Sequence, residues 1–263
     1  MRKPNTLDMY ISWLKRKHHV DVNIWEDSYY NQVTEKVKKD FENSAFWKQL
    51  VGNLPTYEVE YQKDNKYPFF YSFDEQGKLK IKDFKNFLEK TWRKNVLDNN
   101  SWPEEPSNGW ILSDNWLSRI DDVIRTLFTV KYLDGVKIMT EKIHALCAEH
   151  TMSCDVSFEA KEEGYYAAHV NVRRDFEIPR IKFGTEEVNM SIEIQVTTQV
   201  QEVIRKLLHT YYEKKRTMER KVPENWQWNT KCEEFSVNYL GHILHYVEGL
   251  IVEIKDKERE RDK

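Results

Sequence analysis

Polar and apolar residues alternate in two short stretches near the middle of the chain. In Gly164-Tyr165-Tyr166-Ala167-Ala168-His169 the alternation predicts a strand. It puts Tyr165, Ala167 and His169 on one face and Tyr166, Ala168 and Val170 on the other. In Ser191-Ile192-Glu193-Ile194-Gln195-Val196-Thr197 a second strand carries Glu193 and Gln195 on one face, with Ile192, Ile194 and Val196 behind them. A ring, an imidazole, a carboxylate and an amide are thus displayed over aliphatic backing, as a sheet presents a polar site above an apolar core.

The rest of the pattern arranges itself around these strands. Residues 1 to 53 predict helix: Val33, Val37 and Phe41 recur every four residues, with Ala45, Phe46 and Leu50 following. Asp27 or Ser28 is a candidate cap, and Gly52-Asn53 a candidate end. Residues 54 to 82 carry strand-like segments, Phe69 to Phe73 and Lys78 to Lys82, around a predicted turn at Asp74-Glu75-Gln76-Gly77. Phe84, Phe87, Leu88 and Trp92 then repeat at helical spacing. Residues 95 to 118 are turn-rich, a candidate lid or connector, although Trp102, Trp110 and Trp116 argue for packing. A strand is predicted from Ile120 to Leu133, a helix from Val136 to Glu149, and strands over Asp155–Ala160, Gly164–Val172 and Met190–Thr197. Helices follow over Gln199–Lys215 and about Cys232–Ile254, the last with Val237, Leu240, Leu244, Val247 and Ile251 facing inward. The charged tail from Lys255 is expected to fray.

This order predicts an α+β fold: a mixed sheet of about five strands flanked by helices. We divide the chain into a helical N-terminal region with a possible hairpin (1–94), a core (95–221) and a C-terminal helix with its tail (222–263), expected to form one compact unit. Of the 263 residues 40% are hydrophobic, enough for a sizeable core, and the net charge of −3 gives no global case for a nucleic-acid binder. Three cysteines without metal-ligand spacing point to reduced thiols in a cytoplasmic protein. No stretch approaches the roughly 20 apolar residues of a membrane span. His18-His19 is expected to be an exposed turn between helices rather than a metal site.

The two strands resemble the synthetase domain of the RelA/SpoT family. Its signature is a Lys ahead of Gly-Tyr-x-x-x-His, then a strand Glu-x-Gln-x-x-Thr. Here Lys161 precedes Tyr165 by four residues, His169 follows it by four, and Glu193 to Thr198 completes the pattern. The Asp of the preceding family strand corresponds to Asp122, and the resemblance covers roughly residues 110 to 216. It implies a nucleotidyltransferase-like fold and a pyrophosphokinase that moves the β,γ-pyrophosphate of ATP to a ribose 3′-hydroxyl. With GDP or GTP as acceptor the product is (p)ppGpp.

Under this resemblance Asp122 and Glu193 are the expected catalytic pair and the ligands of Mg²⁺, which prefers hard oxygen donors. Tyr165 is expected to stack on the acceptor base, with His169, Lys161 and Gln195 beside it. Arg125, Arg119, Arg93 and Lys94 are the expected ATP-binding residues, since cations suit triphosphate. The chain departs from the family at Arg125 and Leu127, where Gly and Arg are usual. It also lacks, at the usual distance, the basic pair followed by Ser ahead of the Asp, a place we assign to Arg93-Lys94. His209 matches a His on the helix after the Glu strand. The family's hydrolase half and long C-terminal region have no counterpart, so the likeness is to small stand-alone synthetases and their toxic relatives. The latter modify the 3′ end of tRNA, and Lys214, Lys215 and Arg216 are candidate tRNA contacts. A degenerate domain that binds nucleotide or a partner without catalysis is the alternative of a different class. A neutralising antitoxin and a homo-oligomer are further possibilities, since one apolar helix face can serve a core or an interface.

Overall fold

The computed structural model describes residues 2–24, 29–73, 76–180, 183–217 and 225–261. In chain order its main elements are α1 (Leu7–His18), α2 (Asn31–Glu42), α3 (Ala45–Gly52), α4 (Leu54–Asn65), β1 (Lys80–Ile81), α5 (Phe84–Trp92), β2 (Ile124–Val130), α6 (Leu133–Glu149), β3 (Ser153–Ala160), β4 (Tyr166–Pro179), β5 (Thr185–Thr198), α7 (Gln199–Thr217) and α8 (Glu233–Arg261). The five strands form one sheet in the order β1-β2-β5-β4-β3. The α+β expectation therefore holds. β5, which carries Glu193, is the central strand, so its Ile192, Ile194 and Val196 are fully buried. β4 and β5 extend well beyond their predicted spans, as two 14-residue strands of a long hairpin.

Several local expectations are corrected. The predicted single helix before Gly52 is two, α2 and α3, parted at Asn43-Ser44. The proposed cap at Asp27 or Ser28 lies outside the described residues. Leu54–Asn65 is helical, with Pro55 in its first turn, where a missing N–H costs nothing. Phe69 to Phe73 forms no strand; it touches the sheet through a single bridge between Phe70 and Val130. Asp74 and Glu75 of the predicted turn lie outside the described residues. β2 begins only at Ile124; Trp116–Arg119 is a helical turn, and Asp122 sits in the turn that follows, ahead of the strand.

Contacts group the chain into two compact units, one of residues 1–47, 79–125 and 171–193, the other of 48–78, 126–170 and 194–263. The first is built on aromatic packing. Tyr30 stacks on Trp116 and meets Phe84 and Phe87, all of them buried. The Tyr10 hydroxyl donates to Thr91 and accepts from Asn95, whose amide also caps the Ile111 carbonyl. Trp102 and Trp110 close on Trp13, so the turn-rich 95–118 segment is pinned by side chains. His18 packs edge-on against Trp13 at 4.6 Å, and His19, exposed with φ 55°, ends α1.

In the second unit α8 departs most from expectation. Its buried residues are Asn238, Gly241, Glu248 and Lys255, not the predicted apolar stripe. Glu248 accepts from Gln201. Lys255, far from fraying, is 7% exposed; its ammonium donates to Tyr61, pairs with Asp134 at 3.3 Å and lies 3.9 Å over the Tyr132 ring. The aromatic face and the carboxylate hold this cation against a desolvation that lowers its pKa. α8 thus continues as helix to Arg261.

Candidate functional site

Asp122 leads the first group of residues. Lys90 reaches one carboxylate oxygen at 2.6 Å from α5, and Lys82 reaches the other at 2.9 Å from the end of β1. β1 pairs antiparallel with β2, Lys80 opposite Arg125 and Ile81 opposite Ile124, and the Lys82 amide donates to the Val123 carbonyl; this register delivers Lys82 to the turn. Asp83 caps α5 through the Asn86 amide, which fixes the helix that carries Lys90. Burial works to raise the Asp122 pKa, but Lys90 and Lys82 together outweigh it and hold the carboxyl at about 2. The pKa values of Lys82 and Lys94 are both lowered, chiefly by burial. Lys94 also feels Lys90, Asp121, Asp122 and Arg119, while Lys82 feels Arg125. Next door, Arg173 of β4 binds Asp121 at 2.7 Å.

Six cations therefore crowd two carboxylates, an excess of positive charge in a partly desolvated corner. Of the residues expected there, Asp122, Arg125, Arg119 and Lys94 come together. Arg119 also donates to the Asn108 carbonyl, and Arg93 points instead to Asp98 at 3.8 Å. Lys82 and Lys90 were missed. The available signal was Lys80-Ile81-Lys82, alternating cations that run straight into a capped helix whose second turn carries Lys90. Glu193, in the same unit, is a carboxylate only 8% exposed on the central strand, and Gln195, two residues on, points the same way.

The second group lies on and after the β3–β4 turn. The Tyr165 hydroxyl and His169 Nε2 are 3.0 Å apart, with the rings edge-on at 6.0 Å. Their spacing of four puts them on one strand face, and the hydrogen bond fixes the phenol ring. Lys161 is exposed, opens the turn, accepts the Gly164 amide on its carbonyl and pairs with Glu159 at 3.5 Å. Arg205 of α7, not expected from the sequence, is held by both oxygens of Glu202 at 2.6 and 2.8 Å, and it senses the Tyr165 phenol.

The opposite face of β4 anchors the turn. Tyr166 stacks on His245 at 3.6 Å and bonds His242 Nδ1 at 2.8 Å; His242 Nε2 in turn meets the Glu162 carbonyl. Gly164 has φ +79°, and a Cβ there would lie 2.5 Å from the Asn238 carbonyl oxygen. A Cβ on Gly241 would lie 2.3 Å from the Gly164 oxygen. Both glycines are needed for this approach. The Gly-Tyr of the motif is thus a backbone contact with α8 followed by a ring held by His169.

Among the described residues no cluster of three or more His, Cys, Asp or Glu could hold a metal ion. The carboxylates present suit the other arrangement, one or two protein oxygens completed by substrate phosphates. The side chains of His209, Lys214, Lys215 and Arg216 lie outside the described residues. Among the described residues no helix is long and apolar enough to cross a membrane.

No protein-family model matches the chain, and no curated protein matches its sequence. Solved structures do match. The small alarmone synthetase 1 from Bacillus subtilis shares 16% identity at a TM-score of 0.51, over 88% of this chain and 94% of that one. The same enzyme bound to its product pppGpp gives the same values. A GTP pyrophosphokinase family protein from Streptococcus pneumoniae shares 18% identity at a TM-score of 0.50, over 85% of this chain and 95% of that one. The chain therefore has the fold of the small alarmone synthetases, the one its resemblance to the RelA/SpoT synthetase domain led us to expect.

Proposed function

We propose that the protein is an ATP-dependent pyrophosphotransferase with a guanine nucleotide, GDP or GTP, as acceptor. The observations that support this reading are the small-alarmone-synthetase fold, a buried Glu193 on its central strand and, separately, a hydrogen-bonded Tyr165–His169 pair at the start of β4. The product found in the Bacillus subtilis enzyme, pppGpp, supports the choice of acceptor.

In this reading the acceptor's 3′-oxygen attacks the β-phosphorus of ATP. The bond from that phosphorus to the bridging oxygen of the α-phosphate breaks, AMP leaves, and the hydroxyl proton passes to the Glu193 carboxylate. Lys82, Lys90, Lys94, Arg119 and Arg125 bind the triphosphate by charge. Tyr165, its ring fixed by His169, stacks on the base, with Lys161 and Gln195 as further acceptor contacts. Asp122 and Glu193 would hold Mg²⁺, which when bound neutralises charge on the transferring phosphates.

The test is transfer of label from γ-³²P ATP to GDP, GTP or total tRNA, offered separately with Mg²⁺. Label in a guanine nucleotide, lost at least about 100-fold in Glu193→Gln, supports the reading. Unchanged turnover in that variant overturns the role of Glu193. Label confined to tRNA would make the protein a tRNA-modifying enzyme, and absence of AMP production would leave a binding domain without catalysis.

A further inference from the structure

Beside Tyr165 stands an arginine that the Gly-Tyr-x-x-x-His motif does not contain. β5 ends at Thr198 and runs without a loop into α7 at Gln199. The Thr197 hydroxyl donates to the Tyr166 carbonyl at 3.1 Å, so the end of β5 lies against the start of β4. Thr198 accepts the Gln201 amide and closes the first turn of α7. The next turn carries Arg205. Its pKa is raised, chiefly by the bond to Glu202 and in smaller part by the Tyr165 phenol. All of these residues belong to one compact unit.

Arg205 is held in one orientation. Nε and Nη2 donate to the two oxygens of Glu202 at 2.6 and 2.8 Å. That carboxylate is 8% exposed, and the guanidinium is half-buried. The pairing uses one edge of the planar fork. The other edge, Nη1 with Nη2, makes no bond among the described residues. It presents two parallel N–H groups in the guanidinium plane. Charge is already met here. Glu202 answers Arg205, with the exposed Lys206 also 3.5 Å from it, and Glu159 answers Lys161. The corner around Asp122, by contrast, has cations to spare. A guanidinium matched in this way gains little from a ligand's charge. What it offers is a pattern, two donors fixed side by side.

We propose that Arg205 reads the acceptor base and selects guanine over adenine, given the proposed stacking of that base on Tyr165. Stacking by itself is tolerant, because every base has a π-face. The edges differ. Guanine shows O6 and N7 side by side, two acceptors that match the open edge of Arg205. Adenine shows N7 beside an amino group, so a donor would meet a donor and both would stay unpaired. A site built to hydrogen-bond its substrate rejects an analogue that cannot reply far more sharply than a site that relies on shape. Glu202 is then a positioning residue: it touches no nucleotide and aims the fork.

Internal competition tests it. The full chain is given γ-³²P ATP and Mg²⁺ with GDP and ADP together at equal concentration, and the labelled products are separated. The ratio of labelled guanine to labelled adenine product compares both acceptors in one tube, so any loss of folded protein cancels. The wild type is expected to label guanine in large excess. Arg205→Gln is expected to lower the ratio roughly 10- to 100-fold, because Gln pairs with N6 and N7 of adenine. Glu202→Gln keeps the guanidinium but releases it, and should lower the ratio by a smaller factor. An unchanged ratio in Arg205→Gln, whatever the total turnover, overturns the proposal; turnover that falls alike with both acceptors would make Arg205 a phosphate contact. An unchanged ratio in Glu202→Gln overturns its positioning role. A wild type that labels adenine as readily as guanine overturns the selection by Arg205 alone. A wild type that labels neither overturns the proposed reaction, and the role of Arg205 with it.

Discussion

Around Asp122 the side chains are held by charge; around Tyr165 they are held by shape. In the first region two lysines from different elements converge on one carboxylate. In the second, two glycines in van der Waals contact and a stacked Tyr166–His245 pair set the backbone, and a single hydrogen bond then aims Tyr165. The charged arrangement suits a ligand that brings its own charge, because phosphate can take over the ammonium groups. The shaped arrangement suits a flat neutral surface such as a base. Under the proposed function, the first region exchanges partners and the second stays fixed.

The largest effect is expected at the lysines. Lys82→Met/Lys90→Met leaves a buried carboxylate without partners, and about 3–5 kcal/mol of stability should be lost, read as a lower urea midpoint. An unchanged midpoint would mean that the ion pairs contribute nothing to the fold. Gly241→Ala attacks the other region. Its Cβ meets backbone rather than a yielding side chain, so about 3 kcal/mol should be lost, with weaker acceptor binding as the turn shifts. Acid sharpens the contrast. The Asp122 pKa is lower in the folded chain than in the unfolded one, so its contribution is present above pH 4 and lost as the pH falls through about 2. That contribution is about 2 kcal/mol, and Asp122→Asn should remove this part of the acid sensitivity in denaturation curves taken from pH 5 to pH 2. The smallest effect is expected from Tyr165→Phe. It keeps the ring but loses the bond to His169, so about 1 kcal/mol of stability should be lost, read as a slightly lower urea midpoint, and the KM for the acceptor should rise a few-fold.

What the sequence disclosed follows the same divide. Alternation along β4 and β5 placed Tyr165 beside His169 and set Glu193 against a buried aliphatic face, because a strand's period is local and fixed. The Lys82–Asp122 and Lys90–Asp122 pairs span 40 and 32 residues and carry no period, so they emerged only once β1 was paired with β2. The strand predicted to start at Ile120 failed because its apolar residues serve a helical turn and a bend before the sheet begins. For α8 the helix was legible and its orientation was not. Reading the apolar stripe as the inward face assumed that the chain's own core covers it, and in the structure Leu240, Val247 and Ile251 are exposed. The buried stripe is instead made of groups that hydrogen-bond or stack, whose partners lie on α4, β4 and α7.

That polar inner stripe makes α8 a keyed part. Greasy surfaces slide, because one methyl serves almost as well as the next. The notch at Gly241 accepts one peptide, at Gly164, and the rings of Tyr166 and His245 lie within 4° of parallel. A slip of one turn, about 5.4 Å, would bring His245 or Val237 against that peptide in place of a glycine. The helix has one seat, and the loop that carries Tyr165 inherits its position from it.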